Sequence, residues 1–329
     1  MKNYILSIDQ GTTSTRVIIF DKKFNFISSS QKEFKQIFPR DGEVEHDPEE
    51  IYQSVLFTAK DAIRRAKIKP TQIKSIGITN QRETTVLWDK TNGKAIYNAI
   101  VWQDRRTVKF CKNLVQKGFA KKIQKTTGLV VDSYFSASKI NWLLKNVKAA
   151  KKLLKKDRLL FGTIDTWLLW KLTDGQSHYT EATNASRTML FDIKKNQWSK
   201  EMLQIFKVPD KILPIVKDSA DDFGQTTKFG SNIPIQGIAG DQQAATIGQA
   251  CLEPGSIKST YGTGCFMIMN VGSKLKYSKN KLLSTIAYRI KGKNTYALEG
   301  SIFIAGAAVQ WLRDSLKIIK NAKETENLY

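Results

Sequence analysis

Residues 4–21 read YILSIDQGTTSTRVIIFD, and the fold follows from how this stretch turns back on itself. YILSID reads as a strand, Gly-Thr-Thr as a turn and TRVIIFD as a second strand; FNFISSS, beyond Lys22 and Lys23, makes a third. Turns this short between β-rich runs predict antiparallel hairpins. The segment HDPEEIYQSVLFTAKDAIRRAKI then predicts a helix. Asp47 caps it, Pro48 takes the first turn, Glu50 completes an Asp-x-x-Glu box, and Ile51, Val55, Ala59, Ala62, Ile63 and Ala66 form one apolar face. IKSIGIT is the next strand and ends in the polar loop NQRETT; TVLWD is another and closes at the Asn92-Gly93 turn. RLLFGTIDTWLLWKLT reads as a strand running into a helix, and IPIQGIAG as a further strand. Three antiparallel strands followed by alternating helix and strand predict an α/β sheet whose functional loops gather at one edge.

After Gly248 the plan restarts: SIKSTYGTGCFMIMNVG is again strand, Gly-Thr-Gly turn, strand. Two domains are therefore expected, residues 1–247 and 248–329, the second opening like the first. Main-chain amides and hydroxyls in such turns suit phosphate oxygens, because glycine admits the ligand to the backbone and Thr or Ser adds donors without bulk. One Gly-Thr hairpin is usually only a hairpin. Two of them, each beginning a domain, point to a nucleotide. Neither GxxxxGK[ST] nor a three-glycine dinucleotide fingerprint occurs, so binding would rest on the hairpins themselves.

Composition narrows the classes further. The 329 residues are 41% hydrophobic, with no apolar run long enough for a bilayer and no signal-peptide pattern after MKNYILSIDQG, so a cytoplasmic protein without membrane insertion is expected. Cys111, Cys251 and Cys265 are far apart, and His46 and His178 are the only histidines in the sequence; zinc sites and disulfides are not expected. The formal charge of +23 taken alone would suggest nucleic acid. The lysines are spread thinly, however, and the one cluster, KAAKKLLKKDR, alternates with Ala and Leu as a solvated helical face. No nucleic-acid partner is expected.

A strand end presents polar side chains cheaply, since the scaffold behind it is rigid and the loop in front is open. Asp241, in GIAGDQQAATIG (residues 237–248), stands at such an end. By itself it reads equally as a solvated turn or a cap.

IDQGTTSTR, ITNQRETT, NAIVWQDRR, NASRTMLFD, GIAGDQQAA and STYGTGCFMIMN together resemble the FGGY carbohydrate kinases, in the group that acts on glycerol. The resemblance runs from Tyr4 to about Asp314, with another FGGY sugar or polyol kinase as runner-up. It implies an actin-like, ribonuclease-H-like ATPase fold, with two related domains around a cleft. The second domain would be incomplete at Tyr329, which also raises the alternative of a non-catalytic glycerol-binding fragment. It further implies ATP, Mg²⁺ and glycerol, with sn-glycerol 3-phosphate as product, and leaves a homo-oligomer open. By the resemblance Asp241 is the general base; Arg82, Glu83, Tyr134 and Gln242 contact the hydroxyls of glycerol, and Trp102 and Phe266 wall its carbons. Thr12, Thr13, Ser14 and Arg16 match the first phosphate hairpin, Thr263 the second, and Gly306 and Gln310 further nucleotide contacts. Asp9 matches the carboxylate that holds Mg²⁺. GQTTKFGSNIPI is shorter than the Gly-rich loop with which some bacterial members bind an inhibitory sugar phosphate, and it lacks that loop's arginine.

Overall fold

The computed structural model describes residues 3–262, 264–302 and 304–328. Strands β1 (Tyr4–Gln10), β2 (Ser14–Asp21) and β3 (Phe26–Glu33) form the antiparallel meander expected from the hairpins. Gly11 N donates to Ser14 O at 2.9 Å and closes the first turn. Helix α1 (Pro48–Ala66) follows, with Asp47 Oδ1 accepting from Glu49 N at 2.8 Å. The reciprocal half of the expected capping box does not form. Glu50 Oε1 accepts instead from Lys35 N at 3.0 Å, because the chain leaving β3 brings a backbone donor to the helix's first turn. Ile51, Val55, Ala59, Ala62 and Ile63 are buried as expected, and Ala66 is half-buried at the end of the stripe.

Strand β4 (Ile73–Asn80) enters the sheet parallel to β1. Strands β5 (Val86–Asp89) and β6 (Leu159–Gly162), read from the sequence as members of the same sheet, instead pair antiparallel with each other in a small separate one. All eight of their residues are buried, so they have no solvent face to present. Helices α2 (Ser136–Asn146), α3 (Ile164–Leu172) and α4 (Ala182–Ala185) come next. Then β7 (Gln225–Thr226) and β8 (Ile233–Gly240) complete the main sheet, in the order β7-β8-β4-β1-β2-β3. Its core joins Leu6, Ile8, Val17 and Ile19 to the stripe of α1, and Ile76, Ile78, Ile235 and Ile238 to Trp167 and Leu168 of α3.

Helix α5 (Asp241–Gly248) leaves the end of β8 directly. A second, antiparallel sheet follows from β9 (Ile257–Tyr261), β10 (Cys265–Gly272), β11 (Leu283–Ile290) and β12 (Lys293–Ile302), ordered β9-β10-β12-β11. The β9–β10 hairpin repeats the plan of β1–β2. The neighbour of β10 is β12 rather than the next strand, so the repeat of the first meander is not exact. Helices α4 and α5 lie between the two sheets and touch both. Helix α6 (Gly306–Asp314) follows β12. The lysine cluster forms the helix Lys148–Lys155, burying Ala150 and Leu153 and exposing its lysines to solvent. Cys111, Cys251 and Cys265 are free thiols. Among the described residues no helix is long and apolar enough to cross a membrane.

Candidate active site

Strand register sets the site. Gln10 lies opposite Asn80, and Asn80 opposite Gly240, so β1, β4 and β8 end level with one another. The turn after β1, the loop after β4 and the first turn of α5 therefore emerge at a single edge. Beyond that edge stands the second sheet.

The loop after β4 does not behave as its sequence suggests. An adjacent Arg-Glu pair is ordinarily solvated, yet Arg82 is 2% exposed and Glu83 1%. Glu83 has φ 60°, and Thr84 N donates back to Arg82 O at 2.7 Å, a three-residue turn that sends the two side chains apart. Arg82 Nε and Glu83 Oε1 are 4.0 Å apart, while Glu83 Oε1 accepts from Arg187 Nε at 2.6 Å. Arg82 makes a two-pronged contact to Glu299 on β12, Nη1 to Oε2 at 2.7 Å and Nη2 to Oε1 at 3.0 Å. Arg187 Nη2 reaches the same Oε1 at 3.0 Å. Two arginines and two carboxylates thus form a buried neutral quartet across the two sheets. Burial pushes the Glu299 carboxyl up, but Arg187 and Arg82 outweigh it and hold it at about 2. Glu83 is raised, because burial there exceeds what Arg187 and Arg82 return.

Asp241 faces this quartet. Its Oδ1 lies 3.1 Å from Arg82 Nε, and its Oδ2 accepts from Gln242 Nε2 at 3.2 Å. Its side chain is 35% exposed, the one open carboxylate of the group. Tyr134 is buried beside it, with Arg82 Nη2 3.4 Å from its hydroxyl and the Arg187 guanidinium 5.3 Å from its ring centre. Beneath Tyr134, the fully buried Lys139 of α2 donates to the Tyr134 carbonyl at 2.6 Å; burial lowers this amine to about 8. Trp102 stands edge-on to both Tyr134 and Phe266, with ring centres 5.7 and 6.0 Å apart. Together Arg82, Glu83, Trp102, Tyr134, Asp241, Gln242 and Phe266 line a cleft of about 260 Å³ that also reaches Thr12 and Thr13. Every residue assigned from the sequence to the substrate side therefore meets in one place. A larger cavity of about 620 Å³ shares Trp102, Gln103 and Tyr134 but is otherwise bounded by residues such as Val108, Cys111 and Val115, and Asp241 does not line it. Asp241 opens into the smaller cleft.

On the other side of the cleft, Thr12 Oγ1 accepts from Trp102 Nε1 at 2.9 Å, tying the first hairpin to the aromatic wall. Arg16 rests on Gln31 Oε1 (2.7 Å from Nη2), whose amide donates to Ser14 Oγ at 2.9 Å. Thr13 and Arg16 are exposed. Thr263 lies outside the described residues; its neighbours Gly262 and Gly264 line the cleft. Gly306 N, at the start of α6, donates to Gly262 O at 2.9 Å, which brings this helix end against the second hairpin, and Gln310 is exposed one turn further on.

Asp9, half-buried at the end of β1, has its carboxyl raised by burial and then by the negative charge of Asp241. Two facing carboxylates of this kind favour a nearby cation. Among the described residues no cluster of three or more acidic, His or Cys side chains could enclose a metal. The carboxylate of Asp9 is a hard oxygen donor of the type Mg²⁺ takes, and the rest of such an ion's shell would come from water and phosphate oxygens.

Among the buried charges around the cleft, Arg187, Glu299, Lys139 and Lys258 escaped the sequence reading. Arg187 lies within the quoted NASRTMLFD, and Glu299 interrupts the apolar run YALEGSIFIAG. A charge inside a strand of this kind needs a buried partner, which is the signal that was available.

The body thus has two sheets, with glycine-containing hairpins and the Asp241 carboxylate gathered at one shared strand edge. Residues 4–248 match the N-terminal domain of the FGGY family of carbohydrate kinases, and the chain belongs to that family. Glycerol kinases of Sinorhizobium fredii and Rhizobium meliloti are 60% and 59% identical over the whole chain, which spans 66% of the length of each. The structure of Plasmodium falciparum glycerol kinase with ADP superposes with a TM-score of 0.92 at 41% identity, over 99% of this chain and 66% of that one. The gluconate kinase of Lactobacillus acidophilus superposes at 0.84 with 22% identity, over 95% and 62%. The fold is the actin-like, ribonuclease-H-like ATPase fold.

Proposed function

We propose that this chain carries the acceptor site and phosphate hairpins of a glycerol kinase, which transfers the γ-phosphoryl group of ATP to glycerol and yields sn-glycerol 3-phosphate and ADP. One observation carries the reading: an open carboxylate, Asp241, is held between Arg82 and Gln242 at the floor of a cleft of about 260 Å³ walled by Trp102, Tyr134 and Phe266. That volume suits a three-carbon polyol. The identities of 59–60% to glycerol kinases support glycerol over the sugar acids and pentuloses of more distant relatives.

A glycerol hydroxyl is a poor nucleophile at neutral pH. Asp241 accepts its proton as the oxygen forms its bond to the γ-phosphorus and the bond to the ADP oxygen breaks in line. Arg82 Nε and the Gln242 backbone N–H, at 2.7 Å, both sit on Oδ1, and Gln242 Nε2 occupies one position on Oδ2, which fixes the carboxylate plane and leaves a free lone pair on Oδ2. Arg82, Glu83, Tyr134 and Gln242 offer hydrogen bonds to the hydroxyls, and Trp102 and Phe266 cover the carbons and exclude water. Thr12, Thr13, Ser14, Arg16 and Thr263 receive phosphate oxygens, and Gly306 and Gln310 lie along the nucleotide. Asp9 would hold Mg²⁺ through water; the ion would supply neutralisation of phosphate charge.

The test is ADP formation by the purified chain with Mg-ATP, with and without glycerol. Glycerol-dependent ADP is expected. Asp241→Asn is expected to lower turnover at least a hundredfold, within the range of a general base, while calorimetry shows glycerol affinity within a few-fold of the native chain. Normal turnover in that variant would remove Asp241 from the base role. Glycerol binding without turnover in the native chain would make it a binding unit only.

A further inference from the structure

Lys258 of β9 is 4% exposed, and nothing above gives it a role. Among the described residues no carboxylate lies within ion-pair distance of its ammonium, and its one hydrogen bond runs to Gln242 Oε1. A lysine buried without a paired carboxylate is costly. The position of its single partner accounts for it. An ammonium can only donate, so whichever atom of the Gln242 amide faces it must be the oxygen. The amide's NH₂ is then forced to the opposite side, where Nε2 donates to Asp241 Oδ2 at 3.2 Å. Without Lys258 the amide could turn over and set its oxygen against the carboxylate.

We propose that Lys258 is a positioning residue for phosphoryl transfer: it locks the orientation of the Gln242 amide, and through it the carboxylate plane of Asp241. The inference rests on the reading of Asp241 as the base. Three contacts then act on that carboxylate: Arg82 from the main sheet and the Gln242 backbone N–H on Oδ1, and the Lys258–Gln242 side-chain pair from the second sheet and α5 on Oδ2. Burial lowers the Lys258 amine to about 8; the charges of Asp241 and Glu299 oppose this, and Arg82 adds to it. The group is thus still largely protonated at pH 7, as the lock requires. Thr246 Oγ1 donates to the Gln242 carbonyl at 2.9 Å and steadies the same residue from within α5.

Two readouts test the proposal, and one of them needs no turnover. The ¹H–¹⁵N pair of the Gln242 side chain, identified by its loss in Gln242→Met, should move toward free-amide values in Lys258→Met; an unmoved pair would overturn the lock. In glycerol-dependent ADP formation, Lys258→Met should lower kcat on the order of tenfold to a hundredfold, as misplacement of a reacting group does, with the KM for ATP unchanged. Adding Gln242→Met should lower kcat no further than Gln242→Met alone, since a residue acting only through another is non-additive with it. Multiplying losses, or a raised KM for ATP at native kcat, would make Lys258 an independent or nucleotide contact and overturn the proposal. Gln242→Glu keeps an acceptor for Lys258 but offers Asp241 Oδ2 no side-chain donor, and should lose turnover likewise; native kcat in this variant also refutes the lock. A native chain that forms no ADP would defeat the functional reading, while the amide resonance would still decide the role of Lys258.

Discussion

His46 lies under the Gly-Thr turn between β1 and β2 with no exposed surface. Its Nε2 is 2.7 Å from Gln36 Oε1, which can only accept, so Nε2 carries the proton; its Nδ1 is 3.4 Å from Gln81 Nε2 and accepts. Gln36 in turn donates to the Thr12 carbonyl at 3.1 Å, and Gln81 to the Gly11 carbonyl at 3.1 Å. A second proton on the ring would set Nδ1–H against the Gln81 amide. Burial accordingly lowers this histidine from 6.5 to about 4. The unfolded chain then binds the proton first as pH falls, and stability drops between pH 6.5 and 4, by about 3 kcal/mol from this group alone. Denaturant unfolding at stepped pH should show the native chain losing about that much more than His46→Gln over this window. Parallel curves for the two would mean that His46 is not the proton acceptor.

The ends of elements are where the site is built, and there the spacing is tight. Gly240, between β8 and α5, has an ordinary φ of −58°, so its lack of a side chain concerns space. A Cβ there would meet Arg82 Cδ at 2.7 Å and Cγ at 2.8 Å, and Gln243 Oε1 at 3.0 Å. The Arg82 stem cannot swing aside freely, because Glu299 and Asp241 hold its guanidinium. Gly240→Ala is therefore expected to destabilise the chain by about 1–3 kcal/mol, the range for overpacking, and to weaken glycerol binding several-fold. An unfolding midpoint and glycerol affinity equal to the native values would show that the Arg82 stem can give way. The same contrast explains what the sequence disclosed. Strand-end residues such as Asp9 and Asp241, and the two Gly-Thr turns, are marked by local pattern, so they could be read in place. Arg82 and Glu83 were legible as cleft residues through the resemblance, but their separate buried partners were not, because the positive φ at Glu83 that parts them has no local signature. Arg187, Glu299 and Lys258 meet partners far away in sequence or across sheets, and only the assembled fold reveals why they are there.

At the scale of the molecule, the buried quartet fastens the two sheets together. Arg82, Glu83 and Arg187 belong to the main body, and Glu299 alone comes from the second sheet. Other bonds also cross this boundary, among them the Arg289–Asp218 ion pair, the buried pair of hydroxyls Ser186 Oγ and Thr285 Oγ1 at 3.0 Å, and Tyr296 Oη to Ile193 O at 3.0 Å, but none of them gathers more than one pair of charges. A small apolar cluster of Ala182, Ala185, Phe191 and Ile193 against Val271, Ile286 and Tyr296 adds burial. Glu299→Gln keeps the shape of the side chain but leaves two guanidiniums facing one carboxylate, Glu83. Breaking a buried charge set from one side costs about 3–5 kcal/mol, so a loss of that size is expected in denaturant unfolding of this variant. Arg82 would then turn its full charge on Asp241, its remaining open partner, and that carboxylate would be held by a cation no longer neutralised by Glu299. Turnover should fall more steeply than glycerol affinity. Replacing Arg187 and Glu299 together by Met and Leu removes one charge of each sign, and should recover part of the stability because no unpaired ion remains in the interior. If the double variant were as unstable as the two single losses added together, the quartet would be four separate contacts, and the second sheet would be held by its apolar face instead.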